Sequence, residues 1–108
     1  MVLIRAIIRV EKTGAVLTEL LEAGFPAVTQ WSVSGRGKQK GIQIGDIYYE
    51  KIPKDLLLIV VEDEFKDDVI KIIMRVARTG AHGNFGDGRI FVSRVDEGYT
   101  ISNGSRNF

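Results

Sequence analysis

KDLLLIVVEDEFKDDVIKIIMRVAR, residues 54 to 78, contains the change of period that decides the fold. Its first part, Lys54 to Glu62 (KDLLLIVVE), is a nearly unbroken apolar run, β-branched and too short for a good helix, which predicts a buried strand. In the second part Phe65, Val69, Ile72, Ile73 and Val76 recur at helical spacing, which predicts an amphipathic helix over Phe65 to Arg78. Glu62, Asp63, Glu64, Asp67 and Asp68 crowd the start of that helix, where its dipole favours negative charge. They are assigned to capping and solubility, not to a catalytic pair. A strand running straight into a helix is a βα unit.

A second such unit stands at the N-terminus. Val2 to Val10 (VLIRAIIRV) predicts a strand buried on both faces, with Arg5 and Arg9 near its edges. Lys12 to Ala23 predicts a helix whose stripe is Val16, Leu17, Leu20 and Leu21, stopped by Gly24. Ala27 to Ser34 (AVTQWSVS) has strand composition, with Trp31 as a packing residue, and a long loop spans Gly35 to Pro53. Arg89 to Val95 (RIFVSRV) closes the order as a strand. Two βαβ halves side by side give an α+β fold, the ferredoxin-like double βαβ sandwich, with an antiparallel four-stranded sheet and both helices on one face. Side chains alternate across a strand, so the second face is partly apolar and no element remains to cover it. Identical subunits in a closed ring are expected to bury it.

Length and composition agree with one compact unit over residues 1–108: the chain has 108 residues, 44% of them hydrophobic. Fifteen Lys and Arg against fourteen Asp and Glu leave a formal charge of +1, so no global field favours nucleic acid or membrane, and any anion site must be local. The chain has no cysteine, which excludes disulfides and thiolate chemistry. The longest apolar run, Leu56 to Val61, is too short to span a bilayer, and the N-terminus lacks the pattern of a signal peptide. A cytoplasmic location is expected.

Two glycine-rich stretches carry the chemistry. GRGKQKG, residues 35 to 41, interleaves three glycines with three cations; glycine lets backbone approach a phosphate and the cations supply charge, although a solvated loop has the same composition. GAHGNFGDGR, residues 80 to 89, places a Gly86-Asp87-Gly88 turn before Arg89 at the mouth of a strand. It is not a Walker A loop, because the lysine followed by Ser or Thr is missing and the loop follows a helix. His82, the one histidine, builds no metal cluster within one chain and is read as a loop residue. Tyr48 and Tyr49 suit either a contact surface or packing of the long loop. With no Ser/His/Asp or Cys/His arrangement, no enzymatic activity is expected.

Taken together these stretches resemble the PII signal-transduction family. MVLIRAIIRVEKTGAVLTELLEAGFPAVT is similar to its opening βα unit. GRGKQKG is similar to the GxGxQKG segment at the base of its T-loop, here residues 35–53, and Thr79-Gly80 followed by GDGRIFV is similar to its TGxxGDGKIFV B-loop signature, here residues 79–88. The resemblance implies a trimer that binds ATP or ADP between subunits, and 2-oxoglutarate with Mg-ATP. Carried over residue by residue, Gly35, Gly37, Lys38, Gln39, Lys40 and Gly41 match the T-loop base, with Gln39 as the Mg²⁺ ligand and Lys54 as the partner of the keto-acid's distal carboxylate. Gly86, Asp87, Gly88 and Arg89 match the phosphate-binding loop, with arginine in place of the common lysine, and Thr29 matches a position near the adenine.

The departures are also informative. By alignment the T-loop is about four residues shorter than in well-known members, and neither Tyr48 nor Tyr49 is a clear match to the modifiable tip tyrosine. AHGNF stands between TG and GDG where the signature has two residues. The short loop and this insertion resemble the subfamily that regulates nitrogenase by direct binding, usually as a complex of two PII-type paralogues. The resemblance therefore implies a homotrimer or a hetero-oligomer with a second paralogue, and a nitrogenase component as target. Regulation of an ammonium channel is the alternative; a plugging loop needs a long finger with a tip arginine, which this loop does not clearly have. In the tail, Gly98 to Phe108, Tyr99 to Gly104 replaces a strand carrying two phosphate-binding arginines, which leaves Arg106 to substitute.

Overall fold

The computed structural model describes residues 1–36 and 51–106. Their order is β1 (Val2–Arg9), α1 (Thr13–Glu22), β2 (Thr29–Gly35), β3 (Ile52–Val61), α2 (Lys66–Ala77) and β4 (Gly88–Arg94). The strands form one sheet in the order β2-β3-β1-β4 with every neighbouring pair antiparallel. This is the ferredoxin-like sandwich that the two βαβ halves predict. Gln39 and its neighbours Gly37, Lys38, Lys40 and Gly41 lie outside the described residues, as do Tyr48 and Tyr49.

The core follows from the alternation of side chains. Val2, Ile4, Ala6 and Ile8 of β1 and Leu57, Ile59 and Val61 of β3 point to the helices, where Val16, Leu20, Val69, Ile73 and Ala77 meet them. Each large aliphatic chain so buried contributes about 1.5–3 kcal/mol. The expectation that β1 is buried on both faces is corrected here. Its other residues, Leu3, Arg5, Ile7 and Arg9, remain partly or fully exposed, because both helices lie on one face. That open face also carries Phe91, opposite Arg5, and Trp31, opposite Leu56. Trp31 is 45% exposed and does not pack inside the chain as expected.

Both helices are shorter than the sequence predicts, since each begins after a 3-10 turn, Val10–Lys12 before α1 and Asp63–Phe65 before α2. In α1 the stripe is narrower: Val16 and Leu20 are buried, whereas Leu21 is 61% exposed. Helix α1 ends in a Schellman turn, with Phe25 N donating to Leu20 O at 2.8 Å and Gly24 N to Leu21 O at 3.1 Å; Gly24 takes φ +94. Phe65 sits on the surface edge-on to Phe25, with ring centroids 5.7 Å apart. The acidic run does not cap α2 through a side chain. Asp63 instead accepts from the Met1 amino group at 2.7 Å and from Arg94 at 2.9 Å, and these bonds, the amino group's first, hold its carboxyl below the usual range. Among the described residues no helix is long and apolar enough to cross a membrane.

After β4 the chain turns back on itself. Tyr99 bridges to Arg106, Thr100 N donates to Ser105 O at 2.8 Å, and Gly104 N donates to Thr100 O at 2.8 Å. Ile101, on the outside of this small hairpin, is fully exposed.

Candidate functional site

The site is assembled by the register between β1 and β3. Arg9 stands opposite Lys54, so the last residue of β1 and the third of β3 put two cations side by side on one face. The loop from α2 to β4 crosses over them. Lys54 Nζ donates to Gly86 O. Arg9 donates through a terminal nitrogen to Phe85 O at 3.0 Å and through Nε to Asp87 Oδ1 at 3.0 Å. Lys54 is buried. Burial first, and the neighbouring Arg9 charge second, lower its pKa from the ordinary lysine value, while Glu11 and Asp87 act the other way.

Asp87 organises the loop. Its Oδ1 also accepts from Thr79 Oγ1 at 2.6 Å, and its Oδ2 accepts from Thr79 N at 3.1 Å and Asn84 N at 2.9 Å. Burial would raise its pKa, but the bonds from Thr79, Asn84 and Arg9 outweigh that and hold the carboxyl well below the usual range. Asn84 returns its amide to Thr79 O at 3.2 Å and Thr79 Oγ1 at 2.9 Å. The tight turn is Asn84 to Asp87, closed by Asp87 N donating to Asn84 O at 3.2 Å. Gly86 at its third position has φ +92, a conformation that costs glycine little. Gly88 has φ +118, and a Cβ there would lie 1.8 Å from Ile7 O. Only glycine lets β4 leave the loop this close to β1.

Among the sequence-predicted residues, Lys54, Gly86 and Asp87 converge here, and Gly88 and Arg89 continue the loop into β4. Gly35 lies beside them, since a Cβ on it would be 3.7 Å from the Lys54 side chain. Thr29 is not brought in: it sits at the start of β2 opposite Leu58, about 20 Å along the strand from Gly35 at ~3.3 Å per residue. Arg106, the tail's substitute cation, donates to Glu97 at 3.1 Å, and Tyr99 Oη donates to the same carboxylate at 3.1 Å. That guanidinium is engaged within its own hairpin.

The sequence reading placed Thr79 and Asn84 in the loop but not their bonds to Asp87, and it missed Arg9 of β1 as the residue that holds the loop. It also missed Asp55, a buried carboxylate on the helix-facing side of β3. Thr13 Oγ1 donates to it at 2.6 Å, with longer contacts at 3.4 Å from Gln30 and Ser32. Asp55 thereby ties α1 and β2 to the strand that carries Lys54. The described residues hold no group of three or more His, Cys, Asp or Glu side chains able to bind a metal. Their donor set, Lys54 and Arg9 with glycine-rich backbone, fits anionic oxygen.

Comparison with known proteins bears on the chain as a whole. The family profile described as "Nitrogen regulatory protein P-II" matches residues 1–105. A "Nitrogen fixation nifHD1 region GlnB-like protein 1" of Methanosarcina barkeri is 53% identical over 104 residues, 96% of each chain. A "Nitrogen fixation nifHD region glnB-like protein 1" of Methanococcus maripaludis (strain S2) is 50% identical over 101 residues, 94% of this chain and 93% of the relative. A "glnB-like protein 2" from the nifHD region of Methanococcus maripaludis is 38% identical over 116 residues, 94% of this chain and 92% of the relative.

Proposed function

The chain belongs to the nitrogen regulatory protein P-II family, and from that premise we propose that it is a non-catalytic cytoplasmic sensor of adenine nucleotide and 2-oxoglutarate that controls nitrogenase. One observation carries the reading. Lys54, two residues into β3 from its start at Ile52, is bonded to the loop that contains Gly86 and Asp87. A ligand that takes hold of Lys54 therefore acts on the root of the T-loop and on the phosphate loop together.

In this reading ATP or ADP occupies a cleft between subunits of a trimer, with phosphates against Gly86, Gly88 and Arg89 and the adenine near Thr29 of the subunit that completes the cleft. Asp87 holds the loop in shape instead of facing phosphate, since its oxygens already accept four bonds within the chain. Gly35, Gly37, Lys38, Gln39, Lys40 and Gly41 form the T-loop base, and Gln39 supplies an oxygen to Mg²⁺, whose remaining ligands come from nucleotide and keto-acid. Mg²⁺ supplies the charge that holds triphosphate and keto-acid together. The cation on Lys54 meets the distal carboxylate of 2-oxoglutarate. Binding shifts the T-loop between two states, and the target distinguishes them by its differential affinity.

The open sheet face with Trp31, Phe91 and Leu56 supports burial against identical subunits or a second paralogue. The names of the relatives, which place them in nitrogen fixation regions and number them 1 and 2, support nitrogenase as the target and a paired paralogue as companion. The second reading, control of an ammonium channel, has weaker support because the T-loop is short. The test is acetylene reduction by purified nitrogenase with this chain added, alone and with its co-purified paralogue. Inhibition that 2-oxoglutarate with Mg-ATP relieves is expected. Unchanged nitrogenase activity, together with binding to a channel, overturns the assignment in favour of the second reading.

A further inference from the structure

The loop between α2 and β4 holds an aromatic ring out to solvent while fixing the backbone that carries it. Phe85 is 71% exposed, the most exposed aromatic side chain among the described residues. Its carbonyl accepts from Arg9 at 3.0 Å, the N–H of Asn84 before it donates to Asp87 at 2.9 Å, and the carbonyl of Gly86 after it accepts from Lys54. A ring on a mobile loop could fold back onto the surface. Here the backbone on both sides of the ring is fixed by those bonds. A cleft of about 600 Å³, lined by His82, Gly83, Asn84, Phe85 and Asp87, lies alongside.

We propose that Phe85 is a preorganised docking anchor on the B-loop, filling an apolar pocket on the regulated partner protein, so that this partner is gripped by the B-loop insertion as well as by the T-loop. The proposal rests on the reading of the chain as a regulator of nitrogenase and deepens it by adding a contact. Central aromatic anchors carry a large share of binding energy when their backbone is already ordered, because little entropy remains to be lost. The charge around the ring defines the pocket's rim. Arg78 lies over Gly83, its side chain 3.4 Å from the position of a Cβ there, and it is exposed. Asp87 is committed to Arg9, Thr79 and Asn84, and Glu11 lies 3.9 Å from Arg9. The partner surface that fits is an apolar pocket edged by carboxylates.

The experiment measures binding of the purified dinitrogenase component by the full chain, with its paralogue where the two co-purify, for wild type, Phe85→Ser and Phe85→Tyr. Sedimentation and Mg-ATP titration are run on the same samples. Phe85→Ser is expected to weaken binding by about thirtyfold, the scale of a hot-spot truncation. Phe85→Tyr should stay near wild type, and oligomeric state and nucleotide affinity should be unchanged in both. Wild-type binding that Phe85→Ser leaves intact overturns the anchor and spares the regulatory reading. No binding by wild type overturns both. A changed oligomeric state in Phe85→Ser also overturns the anchor, since the ring then belongs to a contact between copies.

Discussion

Replacing Asp87 by asparagine keeps the shape of the side chain and removes its charge, and the surrounding donors set the cost. Four of them point at the carboxylate: Thr79 N, Thr79 Oγ1, Asn84 N and Arg9 Nε. Asparagine offers one accepting oxygen and places an NH₂ against the other two donors. The Thr79 hydroxyl can rotate away, whereas the backbone N–H groups and the guanidinium cannot. At about 1–3 kcal/mol for each stranded donor, Asp87→Asn should cost roughly 3 kcal/mol at pH 7. The pH dependence sharpens the test. The folded-state pKa of Asp87 is lowered, so its contribution is complete above the unfolded value of about 3.9 and is lost as pH falls toward the folded value. Between pH 7 and pH 3 the wild type therefore loses about 1.2 kcal/mol from this group, at ~1.36 kcal/mol per pH unit over the ~0.9 unit below 3.9. The variant loses none of it. Urea unfolding at fixed protomer concentration, followed by Trp31 fluorescence, should show the gap between the two narrowing by about that amount. A gap at pH 7 below about 0.5 kcal/mol, or one that does not narrow at pH 3, refutes the reasoning.

Three further outcomes are expected from the packing. Gly88→Ala should destabilise by about 3 kcal/mol or more, because its Cβ would meet Ile7 O at 1.8 Å in a backbone of φ +118; amide exchange at the start of the β1–β4 ladder should rise, and protected amides there would contradict this. Thr13→Val should cost about 2 kcal/mol in thermal unfolding, since the buried Asp55 loses its 2.6 Å donor and keeps only contacts of 3.4 Å; no change in melting temperature would remove Asp55 from the account. Leu20→Ala should cost about 2–5 kcal/mol while Leu21→Ala stays within about 0.5 kcal/mol, because Leu20 is buried and Leu21 is not; equal costs would restore the wider stripe expected from the sequence.

The architecture was legible because its signal is local. A change of period within residues 54 to 78 marks a βα unit, and its repetition at the N-terminus fixes the double βαβ order. Element ends moved by a residue or two because they are set by partners: β3 begins at Ile52, where it pairs with Gly35, two residues before the apolar run starts. The glycine loop was legible for the same local reason. Its organisation was not, since Arg9 meets Asp87 across 78 residues of sequence and Thr13 meets Asp55 across 42. An arginine ending a strand carries no mark of the loop it will hold. Leu21 and Trp31 were misjudged because a pattern shows which side chains are apolar but not how much partner surface a single chain can offer them.

The central claim is that Lys54 and the T-loop root bind a keto-acid only when the phosphate loop is loaded. Calorimetric titration of the purified protein with 2-oxoglutarate, in the presence and absence of Mg-ATP, tests it directly. The account predicts heat of binding only with Mg-ATP present, and its loss in Lys54→Ala while nucleotide binding persists. Keto-acid binding that ignores Mg-ATP, or no binding of either ligand at millimolar concentration by the chain with its paralogue, would contradict it.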